Sequence, residues 1–428
     1  MTPQSNFMVL APVQPARKGD LCALLETMNG APGIAEPTNA TFPFARFQRL
    51  HVARFVVLDD TTLADLPPGD PLRDAPTYLA FLGDCDGSPD AQLAEFAMVA
   101  GAGLRQIFGC CANYSPAVDL LQWMQANSAK PAAQYVNWIG RTVGQIREEQ
   151  ELHLALLAFL QREMASLADL SPRTVRDRLV EFHEKNGPAL TPAAPTPIGW
   201  QFGNVTNLVL FPLALLLLLP FILIYAPLFV WRLRRREETD PVIAPRPDPA
   251  HVATLSHIED HDVTNQFSAF GSVKPGHFRQ LTLRFIFLLL DYSMRHIYTR
   301  GRLARVGTIH FARWVFIDNR RRLFFASNYD GSLDSYMDDF INKVAYGLNL
   351  VFSNGIGYPR TSFLVGGGAS REMEFKYYLR RHEVPTQVWY KAYPGLTTAD
   401  LARNTLIREG LEKSTMTDTQ ARTWLALI

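Results

Sequence analysis

The sequence predicts an α+β protein in which two copies of one module flank an apolar segment. Three observations carry this. The chain repeats itself: His51-Val-Ala-Arg-Phe-Val-Val-Leu-Asp59 is answered by His310-Phe-Ala-Arg-Trp-Val-Phe-Ile-Asp318. The match extends from Leu79–Ser88 to Leu323–Ser332, then runs without a gap through Asp90/Asp334, Phe96/Phe340, Gly103/Gly347 and Phe108/Phe352. Between the copies, Leu208–Trp231 is apolar apart from Tyr225 and carries no charge. An internal repeat decides the architecture before any finer reading.

Taken in order, Asn6–Val13 reads as a strand and Asp20–Met28 as a short helix. His51–Leu58, rich in valine and aromatics, reads as a second strand. Pro67-Pro-Gly-Asp70 marks a loop, Tyr78–Leu82 is the returning strand, and Ala91–Phe108 is a helix. In the second copy the loop shrinks to Asn319–Arg321, a hairpin. Strand, helix, hairpin, helix plus one further strand is the βαββαβ, or ferredoxin-like, unit. The second copy supplies the further strand at Thr386–Ala392, while the first has no evident counterpart. Two such units in one chain are expected to pack sheet to sheet as an intrachain pseudo-dimer, since each exposes an apolar sheet face.

The predicted organisation is module 1 at 1–112, a helical insert at 113–186, a Pro/Ala linker at 187–207, the membrane segment at 208–231, a polar linker at 232–262, module 2 at 263–395 and a helical tail at 396–428. Within the insert, Ala117–Gln125, Val143–Leu167 and a helix opened by Ser171-Pro172 have helical spacing. Helix Phe278–Tyr298 of module 2 is long, and its run Phe285–Leu290 suits either a core or a membrane surface.

A helix over 208–231 would be about 36 Å long, enough to cross a hydrocarbon core. Arg232, Arg234, Arg235 and Arg236 follow it and mark a membrane interface facing anionic lipid. The expected location is therefore a bacterial cytoplasmic membrane, with module 2 cytoplasmic and module 1 on the same side. A single span would separate the copies. The segment holds Pro212, Pro220 and Pro227, and a bend near Pro220 would give a re-entrant hairpin that keeps them together. No basic and apolar leader opens the chain, so no signal peptide is expected. Four cysteines in 428 residues, without metal spacing, point to a reducing compartment. A net charge of +1 gives no basic face for nucleic acid.

The candidate site residues are the repeated polar set, His51, Arg54 and Asp86 with His310, Arg313 and Asp330. A histidine, an arginine and a carboxylate can perform acid–base work or hold an anion. The favoured reading is structural: Asp-Gly turns from strand to helix, Ser88 and Ser332 cap, and each arginine pairs with the turn aspartate of its own copy. By strand parity His51 and Arg54 point to opposite faces. His257-Ile-Glu-Asp-His-Asp262 and the glycine run Gly366–Gly368 are read as a solvated linker and a loop; no metal site is expected.

The second half resembles a bacterial family of unassigned function through Thr308-Ile-His-Phe-Ala-Arg-Trp314, Ser327-Asn-Tyr-Asp-Gly331 and Val384-Pro-Thr-Gln-Val-Trp-Tyr390. The duplicated units are similar to the dimeric α+β barrel class, which includes chlorite dismutases and dye-decolorising peroxidases, both haem enzymes. Gly83-Asp-Cys-Asp-Gly87 resembles the peroxidases' GxxDG pattern, which would make Asp86 a distal acid. The second copy departs from it at Ser327, and no histidine stands in the context of a proximal ligand. The leading expectation is a membrane-anchored protein that binds a lipid or other apolar ligand at the membrane surface, without a cofactor. The alternative is a haem-dependent, peroxidase-like enzyme.

Overall fold

The computed structural model, which describes every residue except Arg302, is a mixed α+β structure. Its first half runs β1 (Gln4–Pro12), α1 (Lys18–Glu26), the short strands β2 (Asn29–Ala31) and β3 (Ile34–Ala35), β4 (Leu50–Leu58), β5 (Tyr78–Asp86), α2 (Pro89–Val99), α3 (Gly101–Phe108), α4 (Leu120–Ala126), β6 (Ala133–Val136), α5 (Val143–Leu167) and α6 (Pro172–Asn186). The long helix α7 (Ile198–Thr239) and α8 (Pro249–Ile258) follow. The second half runs β7 (Thr264–Ser272), α9 (His277–His296), β8 (Ile309–Ile317), β9 (Arg322–Asp330), α10 (Leu333–Phe352), the short strands β10 (Thr361–Ser362) and β11 (Gly366–Gly367), α11 (Glu372–His382), β12 (Thr386–Lys391), α12 (Thr398–Glu412) and α13 (Asp418–Leu425).

Two sheets carry the fold. One has the order β1-β5-β4-β12-β3-β2 and the other β6-β8-β9-β7, beside a separate β10-β11 pair. Each contains a long antiparallel trio in matching order, β1-β5-β4 and β7-β9-β8. The closing strands are exchanged between the halves. β12 pairs antiparallel with β4, opposing Trp389 to Arg54, and β6 pairs antiparallel with β8, opposing Gln134 to Arg313. β6 stands beside β8 as β12 stands beside β4, and it lies within the segment that the sequence reading takes as wholly helical. It is four residues long and its sheet partner, β8, stands in the other half.

Alternation along β4 and β8 explains why they are buried on both faces. Ala53, Phe55 and Val57 point into a helix-covered core with Phe7, Phe81 and Phe96. Val56 and Leu58 point the other way, meeting Met8, Leu82, Val315, Ile317 and Phe324 in a layer between the two sheets. The sheets thus face each other. The expected helix Ala91–Phe108 is broken at Ala100, and Gly103 stands just beyond the break. A Cβ on Gly103 would lie 1.9 Å from the carbonyl oxygen of Thr41, so only glycine fits.

Outside the sheets, α5, α6, α12 and α13 form one apolar cluster through Leu152, Leu156, Leu179, Ile407, Leu411 and Trp424. The helices read as an insert and a tail are halves of one bundle. α7 is a single helix of 42 residues that accommodates Pro212, Pro220 and Pro227 without a break, so a bend near Pro220 is not formed. Its best 18-residue window has a mean hydropathy of 2.8 and none of it is buried, so α7 is long and apolar enough to cross a membrane. It runs antiparallel along α9. Phe211 stacks on Tyr292 and Asn207 bonds His296 near one end, while Phe229 meets Phe278 near the other. Its last turns are fastened by buried Glu237, which accepts hydrogen bonds from Thr361 Oγ1 and from the amides of Phe363 and Leu364.

Candidate functional site

The two Asp-Gly-Ser turns are alike in detail. Gly87 and Gly331 adopt φ of +81° and +88°, and Ser88 and Ser332 accept from the amides of Ala91 and Ser335. The aspartates before these glycines pair with the repeated histidines, His51 Nε2 with Asp86 Oδ1 at 2.9 Å and His310 Nε2 with Asp330 Oδ1 at 2.6 Å. The other carboxylate oxygen accepts the first amide of a bundle helix, Val143 N of α5 at 2.9 Å or Thr398 N of α12 at 2.7 Å. Each His–Asp pair therefore ties a sheet to the start of a helix, where the dipole favours a negative charge. Both histidines stand at register shifts, between Leu50 and Val52 and between Ile309 and Phe311. Such a bulge re-aims the side chain, which is why the parity argument for His51 fails.

The arginines do not join this set. The expected pairing of Arg313 with Asp330, and of Arg54 with Asp86, is replaced by a reciprocal crossing between the sheets. Arg313 donates to the carbonyl oxygens of Phe7 and Gly83 at 2.9 and 3.0 Å and to the carboxylate of Asp84. Arg54 donates to the carbonyl oxygens of Phe267 and Ser327, both at 2.8 Å, and to Asn328. Buried arginines reach opposite strands because their planar forks can satisfy several acceptors at once. With no carboxylate partner, Arg54 is lowered to about 9 by burial and by the neighbouring Arg313. The GxxDG pattern has the same structural account. A Cβ at Gly83 would lie 2.3 Å from the carbonyl oxygen of Val52, and Gly87 needs its positive φ.

The histidines converge at one end of the inter-sheet layer. A cavity of 20 Å³ there is lined by both, with Gln4, Asn137, Arg141 and Tyr393 among its walls. Tyr393 OH lies 3.1 Å from His51 Nδ1 and Lys391 Nζ lies 5.1 Å from the Tyr393 ring centroid. Lys391 donates to Thr264 Oγ1 and the carbonyl oxygen of Leu396, and burial lowers it to about 8. Arg141 and Tyr393 were not among the sequence candidates. Their signal is a further likeness between the halves, Trp138-Ile-Gly-Arg-Thr-Val143 against Tyr393-Pro-Gly-Leu-Thr-Thr398. Gly140 and Gly395 both take positive φ there, and Thr142 and Thr397 both cap the helix that follows.

No protein-family model, curated protein or solved structure matches this chain. The resemblance in Thr308–Trp314 and its companion segments rests on those residues alone, and the site is read from its own chemistry. A haem does not fit. Both oxygens of Asp86 are engaged, and 20 Å³ compares with the roughly 300 Å³ or more of a cofactor pocket. An apolar ligand has no room between the sheets either, where the space beside Arg54 and Arg313 is 10 Å³, about one water.

The remaining candidates have local roles. Arg232 and Arg235 are exposed, with Arg235 over the Trp231 ring, whereas Arg234 pairs with Glu237 and Arg236 covers Phe278. In the segment His257–Asp262, Glu259 pairs with Arg380 and Asp260 accepts the amide of Leu333. Among the described residues no group of three or more His, Cys, Asp or Glu side chains is placed to hold a metal ion.

The buried His–Asp pair predicts an acid limit to stability. Burial lowers His310 from its ordinary value of 6.5, more than Asp330 raises it. A depressed folded-state value means that the contribution is complete above about pH 6.5 and is lost as pH falls through the folded-state value. Tm should hold above pH 7 and decline on acidification, and His310→Gln should flatten part of the decline. A wild-type Tm that stays level between about pH 7 and 5 would show that His310 does not titrate with unfolding.

Proposed function

We propose that the chain is a membrane-surface protein, built from two ferredoxin-like copies as a pseudo-dimer, that rests on a lipid bilayer through α7 and α9 and binds lipid at that face. The observation that carries this reading is that the apolar stretch of α7 is exposed along its length while both ends are fastened to one body. Leu281, Phe285, Leu288 and Leu289 continue the apolar strip on α9. The chain before α7 and the chain after it share both sheets, which speaks for the two copies lying on one side of the membrane and for α7 lying in the interface rather than crossing it. The exposed Arg232, Arg235 and Arg284 at this strip suit anionic headgroups, and the basic flank favours the cytoplasmic face of a bacterial membrane.

The test is accessibility labelling in sealed membranes. Asp90→Cys and Asp334→Cys place thiols at exposed positions, one in each half. Both should label from the same side, and Leu217→Arg with Leu223→Arg should release protein from membranes. Labelling from opposite sides would sink the in-plane reading. A protein that stays at the bottom of a density gradient while vesicles of phosphatidylglycerol and phosphatidylethanolamine float would remove the membrane itself.

A further inference from the structure

We infer that Arg141 anchors a binding site for the carboxylate group of a small organic acid, between the two His–Asp pairs. Seven arginines are buried among the described residues. Six of them donate hydrogen bonds to carboxylates, carbonyls or amide oxygens. The guanidinium of Arg141, a residue 4 % exposed, has no hydrogen bond or ion pair among the described residues, and its Nε and Nη2 are both buried without a partner. A buried guanidinium left unpaired is costly, so a partner belongs there.

The geometry says which kind. One face of the guanidinium is covered by the Trp138 ring at 4.2 Å, and that stacking fixes its plane. The two open nitrogens are neighbours on one edge of the group, and their N–H bonds run parallel. That edge matches the two oxygens of a carboxylate in a bidentate pair. Glu149, the protein carboxylate that acts on Arg141 most strongly through space, does not fill the role. It is held by Gln145 and Thr405 and makes no ion pair with Arg141. Asp86 and Asp330 are saturated by their own partners. A cavity of 20 Å³ lies beside Arg141, and among its walls Val136 and Trp138 are half-buried rather than buried, the side from which a planar head group would enter.

The likeness between the halves isolates the same residue. The His–Asp pairs, the glycines and the capping threonines occur twice, as structural devices do. Arg141 corresponds to Leu396, whose carbonyl oxygen is taken by Lys391. A single site in a duplicated framework is expected where the halves differ.

The experiment uses the full chain in detergent, titrated with sodium formate, acetate and inorganic phosphate against chloride at constant ionic strength. Formate or acetate should raise the Tm saturably, with half-effect below about 10 mM. Calorimetric titration should give a matching Kd. Arg141→Lys keeps the charge and loses the fork, so it should weaken acetate by about ten-fold or more. Arg141→Met should abolish the effect. If Arg141→Met does not fold, Arg141→Lys decides alone. No saturable response to either carboxylate, an equal response in Arg141→Lys, or a response to phosphate alone would each overturn the site.

Discussion

Replacing Arg313 by alanine is expected to cost about 3–5 kcal/mol, because it strands a buried carboxylate. The partner is Asp84, 4 % exposed, on the facing sheet. The carbonyl oxygens of Phe7 and Gly83 lose their donor in the same stroke. That loss is a large part of the roughly 5–15 kcal/mol that holds a domain folded. Denaturant unfolding should show the drop, and the added change Asp84→Asn should recover part of it by removing the stranded charge. Arg54→Ala provides the internal control. Its side-chain partners, Asn328 and Ser268, are neutral, so the cost should stay nearer about 1–3 kcal/mol. Equal losses from Arg54→Ala and Arg313→Ala would mean that the Asp84 charge is not what makes the crossing expensive.

Glu237→Ala should be the most damaging change on α7. The carboxylate accepts from Thr361 Oγ1 at 2.9 Å, Phe363 N at 2.9 Å and Leu364 N at 2.8 Å, and it pairs with Arg234 at 2.8 Å. Phe363 and Leu364 take φ of +54° and +61°, which non-glycine residues adopt only when their surroundings hold them. Two amides in a strained turn would lose their acceptor together, at about 1–3 kcal/mol each. Limited proteolysis should cut the Thr361–Gly367 loop in Glu237→Ala and spare it in wild type. Glu237→Gln keeps an acceptor and should lie between the two. Unchanged protection of that loop in Glu237→Ala would show that α7 is fastened elsewhere.

Elements with strong local signals were legible in the sequence. The strand read at His51–Leu58 is β4 extended by one residue, and the helix read at Val143–Leu167 is α5 itself. Ser171-Pro172 and the Asp-Gly-Ser turns announced their caps because short polar side chains bond amides a few residues away. What stayed hidden depends on contacts distant in sequence. β6 has four residues and borrows its partner from the other half. The arginines were assigned to the aspartates of their own turns, whereas Arg313 bonds Phe7, 306 residues away. Arg141 carries no motif of its own. The likeness of its segment to Tyr393–Thr398 draws the eye to it, but its lack of a partner, which a sequence does not display, is what sets it apart.

The exchange of β6 and β12 also has a consequence for synthesis on the ribosome. Val57 of β4 and Gln387 at β12, joined by a hydrogen bond from the Val57 amide to the Gln387 side chain, are 330 residues apart. At about 5–20 residues per second, roughly 15 to 70 s separate their emergence. Throughout that interval one edge of β4 stands open, with valine and phenylalanine beside unpaired amides, the kind of edge on which chains aggregate. The apolar α7 emerges within the same interval. The nascent chain therefore exposes its two stickiest surfaces together, and completion of the last strand is the event that closes the first sheet.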